Sequence, residues 1–114
     1  MRKIKFRAWD KEFKKWSDDP LADAVKDIKF NTDYEWCQFI GKFDIRGNEI
    51  YEGDIVRFQR REGEVFIGEI AYIEECGAYF VIHSGISDNQ LYAFSQYEVI
   101  GNIFENPELL EDEW

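Results

Sequence analysis

Few residues in this 114-residue chain combine type and spacing in a way that could do chemistry. The first are Glu52 and Asp54, two apart around Gly53. On a strand that spacing puts both carboxylates on one side, as general acid–base work or a divalent cation requires. Acids flanking a glycine are also ordinary turn chemistry, and that is the commoner origin of such a pair. His83 is the single histidine and therefore the first candidate for a general base or metal ligand. It has no cysteine or acid cluster beside it in the sequence, and Ser84 next to it lacks the second base and oxyanion motif of a triad. Cys37 and Cys76 are not spaced as a metal-binding pair. With His83 they make three N/S donors, where structural zinc takes four. No glycine-rich phosphate loop is present. These residues predict no catalytic centre, no cofactor and no metal.

Charge and aromatic residues are more informative. Net charge is −10, which disfavours a general nucleic-acid binder and favours self-repulsion and solubility. The charge is unevenly spread. Residues 1–16 hold seven bases and two acids, and the rest of the chain holds seven bases and 22 acids. Lys3, Lys5, Arg7, Lys14 and Lys15, with Trp9 and Trp16, make the first segment a candidate interaction surface of the kind that stacks bases between cations. Arg57, Arg60 and Arg61 are a second place for phosphate contacts. The bland alternatives are that the tryptophans fill a core or an oligomer interface and that the arginines are a solvated strand end. The last ten residues include five acids along with Leu109, Leu110 and Trp114. A basic beginning and an acidic end attract each other, within one chain or between two. Exposed ion pairs contribute only about 0–1 kcal/mol each, so Leu109, Leu110 and Trp114 would have to supply the burial in an oligomer.

The elements that would position these residues are mostly strands. Alternation over residues 3–9 predicts a strand with Ile4, Phe6 and Ala8 on one face and Lys3, Lys5 and Arg7 on the other. Residues 13–16 predict its hairpin partner. Asp19, Pro20 and the spacing of Leu21, Ala24, Val25 and Ile28 predict a short helix over 18–28. Strands are then expected over 34–40, 55–59, 65–73, 78–83, 91–94 and 97–104, with Ile50 and Tyr51 leading into a turn at Glu52-Gly53-Asp54, a loop over 84–90 and a helical turn after Asn106-Pro107. Gly68, inside a strand, is expected to mark a bend or bulge. Many short strands with turns between them predict a mainly β domain. The expected form is a small SH3-like or related closed β-barrel, preceded by an N-terminal β-hairpin and accompanied by one or two short helices.

Three segments carry a family resemblance. They are Lys5-Phe6-Arg7-Ala8-Trp9-Asp10; Ile45-Arg46-Gly47-Asn48-Glu49-Ile50-Tyr51-Glu52-Gly53-Asp54-Ile55-Val56; and Glu98-Val99-Ile100-Gly101-Asn102-Ile103-Phe104-Glu105-Asn106-Pro107-Glu108-Leu109-Leu110. In this order the chain resembles the YopX family of phage and prophage proteins of Gram-positive bacteria. Where that family often has a Thr-Gly-Leu-like stretch, this chain has Ile40-Gly41-Lys42, and residues 17–38 match no part of the pattern. The resemblance implies one β-rich domain over residues 1–114, able to self-associate, and it brings no reaction, cofactor or catalytic residue. Within it, residues 1–50 would form the hairpin, helix and first long strand, 51–104 the barrel-like core and 105–114 an acidic tail.

Within these motifs, Gly47-Asn48 suits a hairpin turn and Gly53 a backbone conformation closed to other residues. Asp54 is expected to accept hydrogen bonds from nearby amides, and Phe6, Ala8, Ile55, Val99 and Ile103 to be core. Arg7 is expected to pair with an acid such as Asp54 or Glu105. With no secretory or membrane-spanning segment apparent, the cytoplasm of the host cell is the expected compartment. Three functions follow as expectations. The first is a non-enzymatic phage accessory protein acting through self-association and contacts with host or phage proteins. The second is a nucleic-acid-associated module using the basic hairpin. The third is an acidic nucleic-acid mimic that occupies a host protein.

Overall fold

The computed structural model describes residues 5–20, 34–61, 64–83, 86–90 and 97–110. They form two antiparallel sheets. The first has the order β2-β1-β3-β4, built from β1 (Phe6–Asp10), β2 (Lys15–Trp16), β3 (Tyr34–Phe43) and β4 (Glu49–Tyr51). The second has the order β8-β7-β6-β5-β9, built from β5 (Asp54–Arg61), β6 (Glu64–Ile73), β7 (Ala78–His83), β8 (Ile86–Gln90) and β9 (Tyr97–Asn102). The fold is mainly β, as expected, but the closed barrel is not found. Both sheets are open, and one curls only into a half-barrel. The reason lies at the edges. β4 is three residues long and hands the chain over to the second sheet after Tyr51, and among the described residues no strand joins the outer edges.

The N-terminal hairpin forms, with Trp9 opposite Trp16 and Asp10 opposite Lys15. Asp10 caps its turn by accepting from the amides of Glu12 and Phe13. The helix expected over 18–28 falls largely on residues 21–33, outside the described ones, as does the strand expected over 91–94. The helical turn after Asn106 is a 3-10 turn, Pro107–Leu110, lying against β6. The loop expected over 84–90 is corrected, since Ile86–Gln90 is a strand that pairs with β7. Its polar residues have low strand propensity, and pairing to a formed neighbour overrides that. β3 likewise runs on through Gly41 to Phe43, with a register shift against β4 between Phe39 and Phe43. Gly68 is not a bulge either. It stays in register opposite Val56 while the neighbouring strand closes over it.

The principal core lies between the sheets. Ile50 of β4 packs with Val56, Phe58, Ile70, Val81 and Tyr97 of the second sheet. Fully burying an aliphatic or aromatic side chain of this kind contributes about 1.5–3 kcal/mol. A second cluster, Cys37, Phe39 and Tyr51 with Phe104 against it, lies on the other side of β3 and β4.

Main-chain hydrogen bonds join the layers at two places. At the first, Glu52 N donates to Gln38 O (3.0 Å), Gly53 N to Ile70 O (2.9 Å) and Ile103 N to Gly53 O (2.9 Å). Gly53 has φ of +85°, the left-handed region that a side chain disfavours. At the second, the turn after β3 caps the outer edge of β9. Ile45 N donates to Tyr97 O (2.9 Å), and the Asp44 carboxylate accepts from Val99 N (3.0 Å). Capping an edge strand in this way blocks further strand addition there. The turn expected at Gly47-Asn48 forms here, with positive φ at Gly47 alone of the two.

Asp44 is buried and also accepts from the amides of Arg46 (2.9 Å) and Asn48 (2.8 Å). Burial alone would raise its pKa. The bonds from Val99, Asn48 and Arg46 outweigh burial and hold the carboxyl below its ordinary 3.8. A depressed carboxyl contributes stability above its unfolded-state pKa and loses it as pH falls through the folded value. Asp44→Asn is therefore expected to cost about 1–2 kcal/mol at neutral pH. The gap between wild type and variant should close in urea melts taken from about pH 6 down to about pH 2. A gap independent of pH would contradict this account of Asp44.

Candidate functional site

The first place where the structure gathers the residues singled out by sequence is the junction of the hairpin with the C-terminal segment. Arg7 forms an ion pair with Asp54, as expected, and its guanidinium lies over the rings of Trp16 (4.1 Å) and Tyr51 (4.6 Å). Asp54 is almost completely buried, and its second oxygen accepts from Tyr51 N at 2.8 Å. Burial pushes the Asp54 carboxyl up, and the Arg7 charge and the Tyr51 amide pull it back only in part. Beside this pair Trp9 stacks on Phe104, with centroids 5.3 Å apart and planes 14° apart, and Trp16 meets both rings edge-on. Trp16 Nε1 donates to Glu105 at 3.1 Å.

The two ends of the chain thus meet through ring stacking and an indole hydrogen bond, with a carboxylate but no cation on the tail side. The facing expected for β1 holds only at Ala8. Ala8 is buried, but Phe6 is 47% exposed and Arg7 points inward. At Ala8 and Trp9, adjacent residues on opposite faces, β1 is covered on both sides, so apolar and polar alternation does not separate inside from outside. Of the other expected core residues, Ile55 is buried, and Val99 and Ile103 are partly buried.

Of the five candidate cations whose side chains are described, three are paired: Lys5, Arg7 and Arg57. Lys5 contacts Glu49 at 2.9 Å, and the hydrogen bond to Glu49 raises the Lys5 pKa. Arg57 and Arg46 both bridge to the buried Glu98. Lys14 and Lys15 are exposed and have no carboxylate within ion-pair distance among the described residues, and Lys14 takes positive φ at the hairpin turn. Lys3 and Trp114 lie outside the described residues, as do the side chains of Arg60, Arg61 and His83. Leu109 and Leu110 are half-buried in the 3-10 turn.

The cysteines and the acidic pair do not converge. Cys37 is buried, and burial pushes its thiol up to about 11, so it stays protonated and unreactive at neutral pH. Cys76 is exposed in the turn after β6. Glu52 and Asp54 point to different places: Asp54 lies under Arg7, and Glu52 lines a cleft on the other side of the layer junction. No group of three His, Cys, Asp or Glu gathers among the described residues.

That cleft was not legible in the sequence. It has a volume of about 410 Å3, and it is lined by Gln38, Phe39, Ile40, Gly41, Glu52, Tyr72, Gly77 and Tyr79. Tyr72 and Tyr79 face each other across the β6–β7 hairpin with centroids 5.1 Å apart at 69°. Gln38 N donates to Glu52 Oε1 at 2.8 Å, while Glu52 N donates to Gln38 O. This reciprocal pair fixes the carboxylate at the cleft wall. Gly41 (φ +86°) and Gly77 (φ +62°) also line it, and a side chain at Gly41 would meet nothing within 4 Å. One part of the site could have been inferred: Tyr72 and Tyr79 flank a turn symmetrically, which makes them cross-strand partners in any hairpin there.

Compared with known proteins, residues 21–111 match the family model described as YopX protein. The crystal structure of protein EF1440 from Enterococcus faecalis is similar, with a TM-score of 0.66 and 26% identity, over 96% of this chain and 99% of that one. No curated protein matches the chain. No described helix is long and apolar enough to cross a membrane.

Proposed function

This chain belongs to the YopX family, and from that premise we propose that it is a phage or prophage accessory protein of the host-cell cytoplasm. It works through contacts with protein, copies of itself included, and not by catalysis. One observation carries this reading: the side chains with the most chemical potential are committed to holding the fold. Asp54 is committed to Arg7 and an amide, Glu52 to the Gln38 amide, Asp44 to three amides, and Cys37 is a protonated core thiol. Pairing of Lys5, Arg7 and Arg57 with carboxylates likewise removes much of the charge that a phosphate backbone would need.

Self-association is the testable part. Leu109 and Leu110 retain exposed surface, and Phe13, Phe43, Ile45 and Val65 are each more than half exposed. Sedimentation velocity over a range of protein concentrations should show a reversible oligomer. Leu109→Ala should weaken it about tenfold, more than Glu111→Ala, because apolar burial and not rim charge holds such contacts. A monomer at every concentration would defeat the self-association reading.

A further inference from the structure

We propose that the cleft between β3, the Glu52–Gly53 turn and the β6–β7 hairpin receives an arginine side chain from a partner protein. The inference deepens the protein-contact reading, on which it rests, by naming the chemistry of the partner's contact residue.

Three observations converge on a guanidinium. The first is a carboxylate held in place. Glu52 is anchored through Oε1 to the Gln38 amide, and its own amide is bound to Gln38 O, so it stays aimed without any ligand. Oε2 has no hydrogen-bond donor among the described residues and remains available to accept one from a cation. The second is the aromatic wall. Tyr72 meets Tyr79 edge to face yet lines the cleft with much of its surface exposed, so part of its ring, with its negative face, is left to meet a ligand. A planar cation is drawn to such a face, and guanidinium stacks there better than ammonium. The third is access. Gly41 lines the cleft with open space where a side chain would stand, and the volume of about 410 Å3 is ample for one long side chain and its flanking backbone.

Charge around the opening favours the same ligand. Glu74 and Glu75, exposed in the turn leading to Gly77, outnumber the exposed Lys42 beside Gly41, whose charge opposes them. The whole chain carries −10, which steers a basic partner toward it. The cleft lies at the fixed junction of the two layers, so it needs no ordering before it binds.

The probe is the capped tripeptide acetyl-Gly-Arg-Gly-amide, titrated into the full chain and followed by amide NMR shifts. Saturable shifts at Gly41, Glu52 and Gly77 are expected at millimolar peptide. The citrulline peptide, equal in shape but uncharged, should bind at least ~10-fold more weakly. Free arginine methyl ester should bind more weakly than the peptide, because a partner segment also uses its backbone. Glu52→Gln keeps an oxygen for the Gln38 amide and should lower affinity ~10-fold. Tyr72→Leu, at a position 45% exposed, should also lower it and gives the same answer if Glu52→Gln disturbs the turn. The proposal is overturned if those amides do not shift, if citrulline binds as well as arginine, or if both variants bind like wild type. The titration reports on the cleft whatever the oligomeric state, so its failure would leave the self-association reading standing.

Discussion

Asp54→Ala is expected to destabilise the protein by about 3–5 kcal/mol, the range for removing one partner of a buried ion pair. The loss has two sources. The Arg7 guanidinium would remain between Trp16 and Tyr51 with no counter-charge, and its Nε already lacks an acceptor. The Tyr51 amide would lose its buried acceptor as well. Asp54→Asn keeps an oxygen for that amide and should cost less. The double variant Arg7→Met, Asp54→Leu should recover much of the loss, because apolar side chains of similar size can replace a buried pair at little cost. Urea denaturation of wild type and these three variants measures each value. A loss below about 1 kcal/mol for Asp54→Ala would mean that water reaches Arg7 easily and that the pair is peripheral.

Gly68→Ala is expected to cost about 2–3 kcal/mol, the upper part of the range for overpacking. Its φ is not positive, so the objection is not conformational. A Cβ there would stand 2.7 Å from the carbonyl oxygen of Ile82 and 2.7 Å from Val81 Cγ1. The Val81 side chain belongs to the buried core, and the Ile82 carbonyl is strand backbone, so neither can yield freely. The β6–β7 ladder would have to part beside Ile82 to admit it. Thermal melts of Gly68→Ala beside Gly77→Ala make the test. Gly77 has only the Tyr72 hydroxyl at 3.9 Å, so its substitution meets strain from φ but no clash. A Gly68→Ala protein as stable as wild type would show that the neighbouring strand can retreat without cost.

These two residues also show what the sequence could and could not convey. The pairing of Arg7 with Asp54 was legible because both sit in short, well-patterned motifs and few acids were placed to reach a basic residue on the first strand. The facing of Arg7 was not legible. Alternation says which residues share a side, and it cannot say which side is covered when a strand is covered on both. The same limit put Phe6 in the core, where it does not lie. Gly68 was recognised as unusual, but its reason, the approach of a strand 14 residues further on, is a property of the folded sheet.

Glu52 and Asp54 were expected on one side because they are two apart. The left-handed backbone at Gly53 breaks the strand geometry on which that rule depends. The cleft was hidden for a different reason. Its walls come from residues 38–41, 52 and 72–79, three stretches with nothing in common until the layers meet. The barrel expectation failed through strand bookkeeping at one place, where the chain leaves β4 after Tyr51 and begins the second sheet at Asp54 without closing the first.

The bonds from Glu52 to Gln38, from Gly53 to Ile70 and from Ile103 to Gly53 are all made by peptide groups. Such a splice does not itself depend on the side chains that flank it, so positions 38 and 103 can exchange one residue for another and keep these bonds, whereas Ile70 is also held as a buried core residue. Only position 53 is bound to a residue type, by its φ of +85°. These main-chain bonds add to the packing of Ile50 against the second sheet and to the Arg7–Asp54 pair, and they persist beneath very different surfaces for as long as the glycine is kept.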